Sequence, residues 1–238
     1  RRQRQMCIRD REILRYVIAR SKIGRHIEFD TGGALFEMAD EYERLLTRLD
    51  EGEITKRMRT RLDTREGALR MSQVERGSDP LETFAGVSFR HLAMLAQIKS
   101  TDEEVWLSLR KSNHISGEPS KSIISRLSKM RNWVESEHFP ETARISVQTE
   151  IDEDTRRDIS DDQVSFLKEL SMNLSSCEWI ENSITDAIRN SIKNSDITGK
   201  DAFSGIYLAI LGAKHGPRAS SLIAEIGRED VLAILSVV

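Results

Sequence analysis

Near the C-terminus, Lys214-His215-Gly216-Pro217-Arg218 places two permanent cations and an imidazole in one short stretch. Side chains of these types at this spacing are suited to holding anions and base edges rather than to making or breaking bonds. An arginine fork donates two parallel hydrogen bonds to a phosphate or a base, and a lysine supplies a compact charge. The group closes an apolar run from Ala202 to Ala213, interrupted only by Ser204, Gly205 and Gly212. Gly216 suits a left-handed residue just past a helix end, and Pro217 suits the first turn of the next helix. Arg218 would then start a helix whose positive end adds to its charge, with Lys214, His215 and Arg218 within one turn. The same residues also fit a structural role, with Lys214 and Arg218 paired to Glu225 or to C-terminal carbonyls. A second basic turn, Ser21 to His26, offers Lys22, Arg25 and His26 for phosphate contact, and fits an ordinary solvated turn equally well.

Other chemistries lack their residues. The histidines stand at 26, 91, 114, 138 and 215, and Cys7 and Cys177 lie far apart, so neither a zinc spacing nor a nucleophilic triad is present. Two distant cysteines fit a reducing cytoplasm. No glycine-rich phosphate cradle follows a strand. No catalytic, cofactor-binding or metal residue is assigned. There is no apolar run of membrane-spanning length and no signal peptide.

The elements that must position these cations read as helices. Leu, Ile, Ala, Arg and Glu are abundant, Pro is rare, and aromatics make up 5% of the 238 residues. Net charge is −3 but unevenly spread. Residues 1–25 carry eight Arg and one Lys against Asp10 and Glu12, whereas residues 150–162 hold seven acids against Arg156 and Arg157. Such segregation fits a basic face on a slightly acidic protein, and fits solvated helix faces as well.

Periodicity predicts a helix over Asp10–Arg20 with Ile13, Leu14, Val17 and Ile18 inward, then a long one carrying Leu35, Phe36, Ala39, Tyr42, Leu45, Leu46 and Leu49. Residues 52–79 read as an Arg-rich helix or mobile segment. Asp79-Pro80-Leu81-Glu82, Thr101 to Glu104, Ser160 to Gln163 and Ser175 to Glu178 read as helix starts. Ile145 to Thr149 alternates like a short strand, and the acidic stretch 150–162 is the best linker candidate. Tyr207, Trp133 and Trp179 read as core, and Gly205 and Gly212 as sites of close helix approach.

Four separated blocks carry a family resemblance. Phe203-x-x-Ile206-Tyr207-x-x-x-Leu211-Gly212-x-x-x-Gly216-Pro217-Arg218 resembles the closing segment of class I lysyl-tRNA synthetases. Arg11 to Lys22 resembles the segment that follows their K-M-S-K-S loop. His26 to Asp30 with Asp40 to Arg44, and Val87 to Gln97, are similar to later blocks in the same order. Ile23-Gly24-Arg25-His26 lacks the leading His of the H-I-G-H signature, and Pro119-Ser120-Lys121-Ser122 lacks the first Lys-Met of K-M-S-K-S. Both nucleotide signatures, with the catalytic domain, are expected upstream of Arg1, so the chain fits a piece of a longer protein.

The resemblance implies an all-α helical cage like that of glutamyl-tRNA synthetase, in two helical subdomains. Residues 1–78 would contact the tRNA stem, 79–150 would connect, and 151–238 would bind the anticodon. It implies the tRNA-binding half of a cytoplasmic lysine-tRNA ligase, with tRNA(Lys) as partner. Lysine, ATP and Mg2+ would act only through the missing domain, leaving this portion inactive alone. Arg218, Lys214 and His215 would face the anticodon, and Lys22, Arg25 and His26 the stem phosphates. The alternatives are the equivalent half of a glutamyl-type synthetase, against which the Gly-Pro-Arg ending argues, and a non-enzymatic helical scaffold.

Overall fold

A computed structural model describes residues 8–22, 24, 26–27, 32–47, 64, 66–73, 86–149 and 151–237. Every regular element among them is a helix. The expected start at Asp79, Leu49, the Leu46 side chain and most of the Arg-rich stretch lie outside the described residues. The chain divides into two compact units, Arg1–Arg144 and Ile145–Val238.

The first unit contains α1 (Ile8–Arg20), α2 (Gly33–Thr47), α3 (Phe89–Ile98), α4 (Asp102–Lys111) and α5 (Lys121–Val134). In α1 the buried arc is Glu12, Ile13, Tyr16 and Val17, while Ile18 faces solvent. The apolar stripe expected there is therefore rotated, because a tyrosine pair fixes the helix. Tyr16 and Tyr42 meet edge to face at 5.6 Å. Tyr16 donates to Glu41 on α2, and Tyr42 donates to the buried Glu12 on α1, each at 3.3 Å. Each ring thus keeps its hydroxyl bonded while its body fills the core.

Below this pair, Phe36, Phe89, Trp133 and Phe139 form a cluster with centroids 4.8–6.2 Å apart. Two arginines, Arg126 buried and Arg131 half-buried, tie the helices around it. Arg126 donates to the Val87 carbonyl at 2.8 Å and lies 3.7 Å from Glu43, which accepts from the Phe89 N–H at 2.8 Å. Arg131 reaches Asp102 at 2.8 Å and the carbonyls of Ala96 and Lys99. One side chain on α5 thus caps the end of α3 and pairs with the first residue of α4. The expected capping box forms at Thr101: its hydroxyl accepts from the Glu104 N–H, and Glu104 accepts from the N–H groups of Thr101 and Ser100.

The second unit contains α6 (Glu153–Asp158), α7 (Asp161–Ser176), α8 (Glu181–Asn194), α9 (Gly199–Leu211), α10 (Ala219–Ile226) and α11 (Arg228–Ser236). Helix α9 packs against α6, α7, α10 and α11, which accounts for its nearly continuous apolar sequence. Gln163 joins two functions: its oxygen completes the Ser160 capping box, and its amide donates to the Asp201 carbonyl on α9 at 2.8 Å. A Cβ on Gly205 would lie 3.3 Å from Gln163, so the close approach expected at that glycine is present.

Three local expectations change here. The acidic stretch forms α6 rather than a linker, because Ile151 and Ile159 on either side of it are buried. Ile145 to Thr149 forms no strand; its contact is with a helix end, the Gln148 N–H donating to the Ile210 carbonyl at 2.9 Å. Ser175 to Glu178 does not start a helix: α7 runs through Ser176, and α8 begins after Ile180, which has no capping side chain. The carbonyls of Ser175 and Cys177 are taken by Arg228, whose guanidinium lies over Trp179.

The buried pair in the first unit yields a stability test. Arg126→Met leaves Glu43 in the core beside a neutral partner and should cost about 3–5 kcal/mol in urea unfolding. Combining it with Glu43→Gln should recover part of that loss. A cost within about 0.5 kcal/mol, the size of an ordinary surface change, would mean that the pair does not hold the helices.

Candidate nucleic-acid interface

The connection between α9 and α10 is built from the end of α9 outward. Gly212 adopts the left-handed conformation that stops the helix, at φ 63°. Its N–H returns to the Leu208 carbonyl at 2.9 Å, and the Ala213 N–H reaches the Tyr207 carbonyl at 3.4 Å. Any Cβ at Gly212 would collide with the Gln148 amide. The left-handed residue is thus Gly212 and not Gly216, the position the sequence pattern favoured. Gly216 serves a different need: a Cβ there would sit 2.8 Å from Leu211 and 2.9 Å from the Tyr207 ring. The chain folds back flat against its own helix at this point, and only a hydrogen fits.

Tyr207 holds the fold-back. Its ring packs against Gly216, and its hydroxyl donates to the Pro217 carbonyl at 2.6 Å. Burial pushes its pKa above the ordinary tyrosine value, so the donor proton is retained at neutral pH. The next helix begins at Ala219, two residues beyond the start expected at Pro217; Arg218 is its N-cap residue, and the Arg218 carbonyl accepts from the Leu222 N–H at 2.9 Å.

Lys214, His215 and Arg218 all project from this one connection and are all exposed. The charges of Lys214 and Arg218 are nonetheless partnered. Arg218 pairs with Glu181, the first residue of α8, at 2.9 Å, and Lys214 lies 3.7 Å from Asp158, the last residue of α6. Both cations keep about two-thirds of their side-chain surface in solvent, at 67% and 70%. Pairs this open contribute little and exchange readily with another anion. The partner of Arg218 is thus Glu181 and not Glu225, which lies buried.

The second basic turn follows α1. Ser21 closes it by donating to the Val17 carbonyl, and Gly24 takes a positive φ of 83°. Lys22 and His26 are exposed; Arg25 lies outside the described residues. Lys22 and His26 share that turn, and Lys214, His215 and Arg218 share the α9–α10 connection. Glu181 and Asp158 were missed by sequence inspection, since no local spacing links a helix terminus to a loop so far along the chain. Among the described residues, no three His, Cys, Asp or Glu side chains gather as a metal-holding group.

Comparison with known proteins bears on this geometry. The anticodon binding domain family model matches residues 98–237, a span that includes the whole α9–α10 connection. Over 93% of its length the chain is 27% identical to the lysine–tRNA ligase of Picrophilus torridus. It is 28% identical to those of Thermoplasma acidophilum and Methanopyrus kandleri, over 92% and 94% of its length. In each case it spans 41% of the relative, so it corresponds to less than half of those enzymes.

The fold-back can be tested without RNA. Gly216→Ala should destabilise the chain by about 1–3 kcal/mol through overpacking against Tyr207. Tyr207→Phe keeps the ring and should cost about 1 kcal/mol for the lost hydrogen bond. Because the folded-state pKa of Tyr207 is raised, its hydroxyl contributes fully below the ordinary tyrosine value of about 10 and fades as pH climbs through the raised one. Thermal melting of both variants from pH 7 to 11 measures these effects. A Gly216→Ala protein as stable as the parent would contradict the close packing.

Proposed function

The chain belongs to the anticodon binding domain family, and from that premise we propose that it is the tRNA-binding C-terminal portion of a class I lysyl-tRNA synthetase. In this role it selects tRNA(Lys) for an enzyme that attaches lysine to the tRNA 3′ end at the expense of ATP. Lysine, ATP and Mg2+ belong to the remainder of that enzyme, and none of the described residues is assigned a part in the activation step. The cytoplasm is the compartment where such an enzyme works; no described helix is long and apolar enough to cross a membrane.

One observation carries the proposal. A rigidly held loop inside the matched span presents Lys214, His215 and Arg218 to solvent together. Single-stranded anticodon bases are splayed, and proteins read them through hydrogen bonds to their edges and stacking on flat groups. An arginine fork and an imidazole offer both. Lys214 supplies charge for a neighbouring phosphate. In the first unit, Lys22, Arg25 and His26 would meet stem phosphates, which position the tRNA without reading its sequence. The relatives named are lysine enzymes, which favours lysine over the glutamyl-type alternative.

Two roles predict two kinds of loss. Arg218→Ala should weaken tRNA(Lys) binding by about 1–3 kcal/mol, with less loss on a transcript whose anticodon is already altered. Lys22→Ala with Arg25→Ala should instead weaken all tRNAs alike and reduce the slope of log affinity against log salt by up to about 2. Filter binding across a salt series, with melting as a folding control, separates the two. Additive losses for Arg218 and the anticodon would place base reading elsewhere, and an unchanged salt slope would leave the N-terminal turn structural.

A further inference from the structure

We propose that Glu181 and Asp158 are specificity-determining residues, whose carboxylates hold Arg218 and Lys214 in ion pairs that an RNA must displace. The inference rests on the assignment of the α9–α10 connection to tRNA contact, and it adds a reason why the connection rejects the wrong RNA.

Three features support it. Both fixed cations of the connection carry an acidic partner, and the two acids come from different helices, the start of α8 and the end of α6. The cations are open to solvent while Glu181 keeps 33% and Asp158 58% of its side-chain surface exposed, so the pairs are exchangeable rather than structural. The connection itself is held by the Tyr207 hydrogen bond and the Gly216 contact, so its course does not depend on either ion pair.

The consequence is a competition between anions. An RNA that offers only phosphate replaces one anion with another and leaves a freed carboxylate beside its own charge, so it gains little. An RNA whose bases also bond to Arg218 and His215 receives an extra gain that a misfit cannot match. Discrimination of this kind comes from a repulsive element as much as from an attractive one. The acids therefore lower affinity for every RNA, and lower it most for those that lack the base contacts.

Neutralising an acid should thus improve binding, and improve it for the wrong partners most. The experiment is filter binding of the full chain to three transcripts: tRNA(Lys), its anticodon-altered form and an unrelated tRNA. Glu181→Gln should raise affinity for the latter two by about two- to five-fold, the worth of an exposed ion pair, and raise tRNA(Lys) less. The salt dependence should steepen, since the released arginine now displaces counterions. The gain should vanish in an Arg218→Ala background, which a merely structural effect of Glu181 would not produce. Asp158→Asn, paired with Lys214→Ala, repeats the test at the second site if Glu181→Gln melts abnormally. If Arg218→Ala weakens binding yet neither neutral variant raises off-target affinity, the proposal fails and the tRNA assignment stands. If Arg218→Ala and Lys214→Ala leave every tRNA unaffected in folded protein, both fail together.

Discussion

Burial of α9 on several sides is the constraint from which the second unit follows. Ala202, Ile206, Ala209 and Ile210 have no exposed surface, so the helix must end where its carbonyls find donors and its chain finds solvent. Gly212 supplies the stop, the Gln148 and Ala213 N–H groups take freed carbonyls, and Tyr207 pins the returning chain at Pro217. Everything polar that emerges there is driven out by the same packing. The cations of the connection are exposed because the helix behind them admits no charge.

The same logic explains how much was legible in the sequence. Helix starts with a local signature, at Thr101 and Ser160, form as their residues require, because a capping box closes within four residues. The apolar helix and the abrupt turn after it were equally plain. What the sequence hid was distance. Whether Gly212 or Gly216 takes the left-handed conformation depends on Gln148 and Tyr207 filling the space around each, and no local pattern contains both facts. The start misread at Ser175 has a similar cause: the serines bond back to α7 carbonyls, and Arg228 from another helix takes the chain end.

At the candidate interface, residue types were visible and partners were not. Lys214, His215 and Arg218 stood out by their spacing, and the structure keeps them exposed on one connection. The counter-charges of Lys214 and Arg218 come from helices whose sequence gives no sign of the meeting. In the first unit the tyrosine pair shows the converse. Tyr16 lay within a predicted helix, yet its burial was missed because Leu14 and Ile18 completed a cleaner apolar stripe. A tyrosine whose hydroxyl reaches a glutamate across the interface outcompetes an aliphatic residue for that position.

As proposed, this chain grips the anticodon end of a tRNA. Nuclease and chemical footprinting of a tRNA(Lys) transcript, with and without the purified chain, tests it most directly. Protection of the anticodon bases is expected, together with backbone protection along the stem. Protection confined to the acceptor end, or an unaltered anticodon loop at saturating protein, would contradict it.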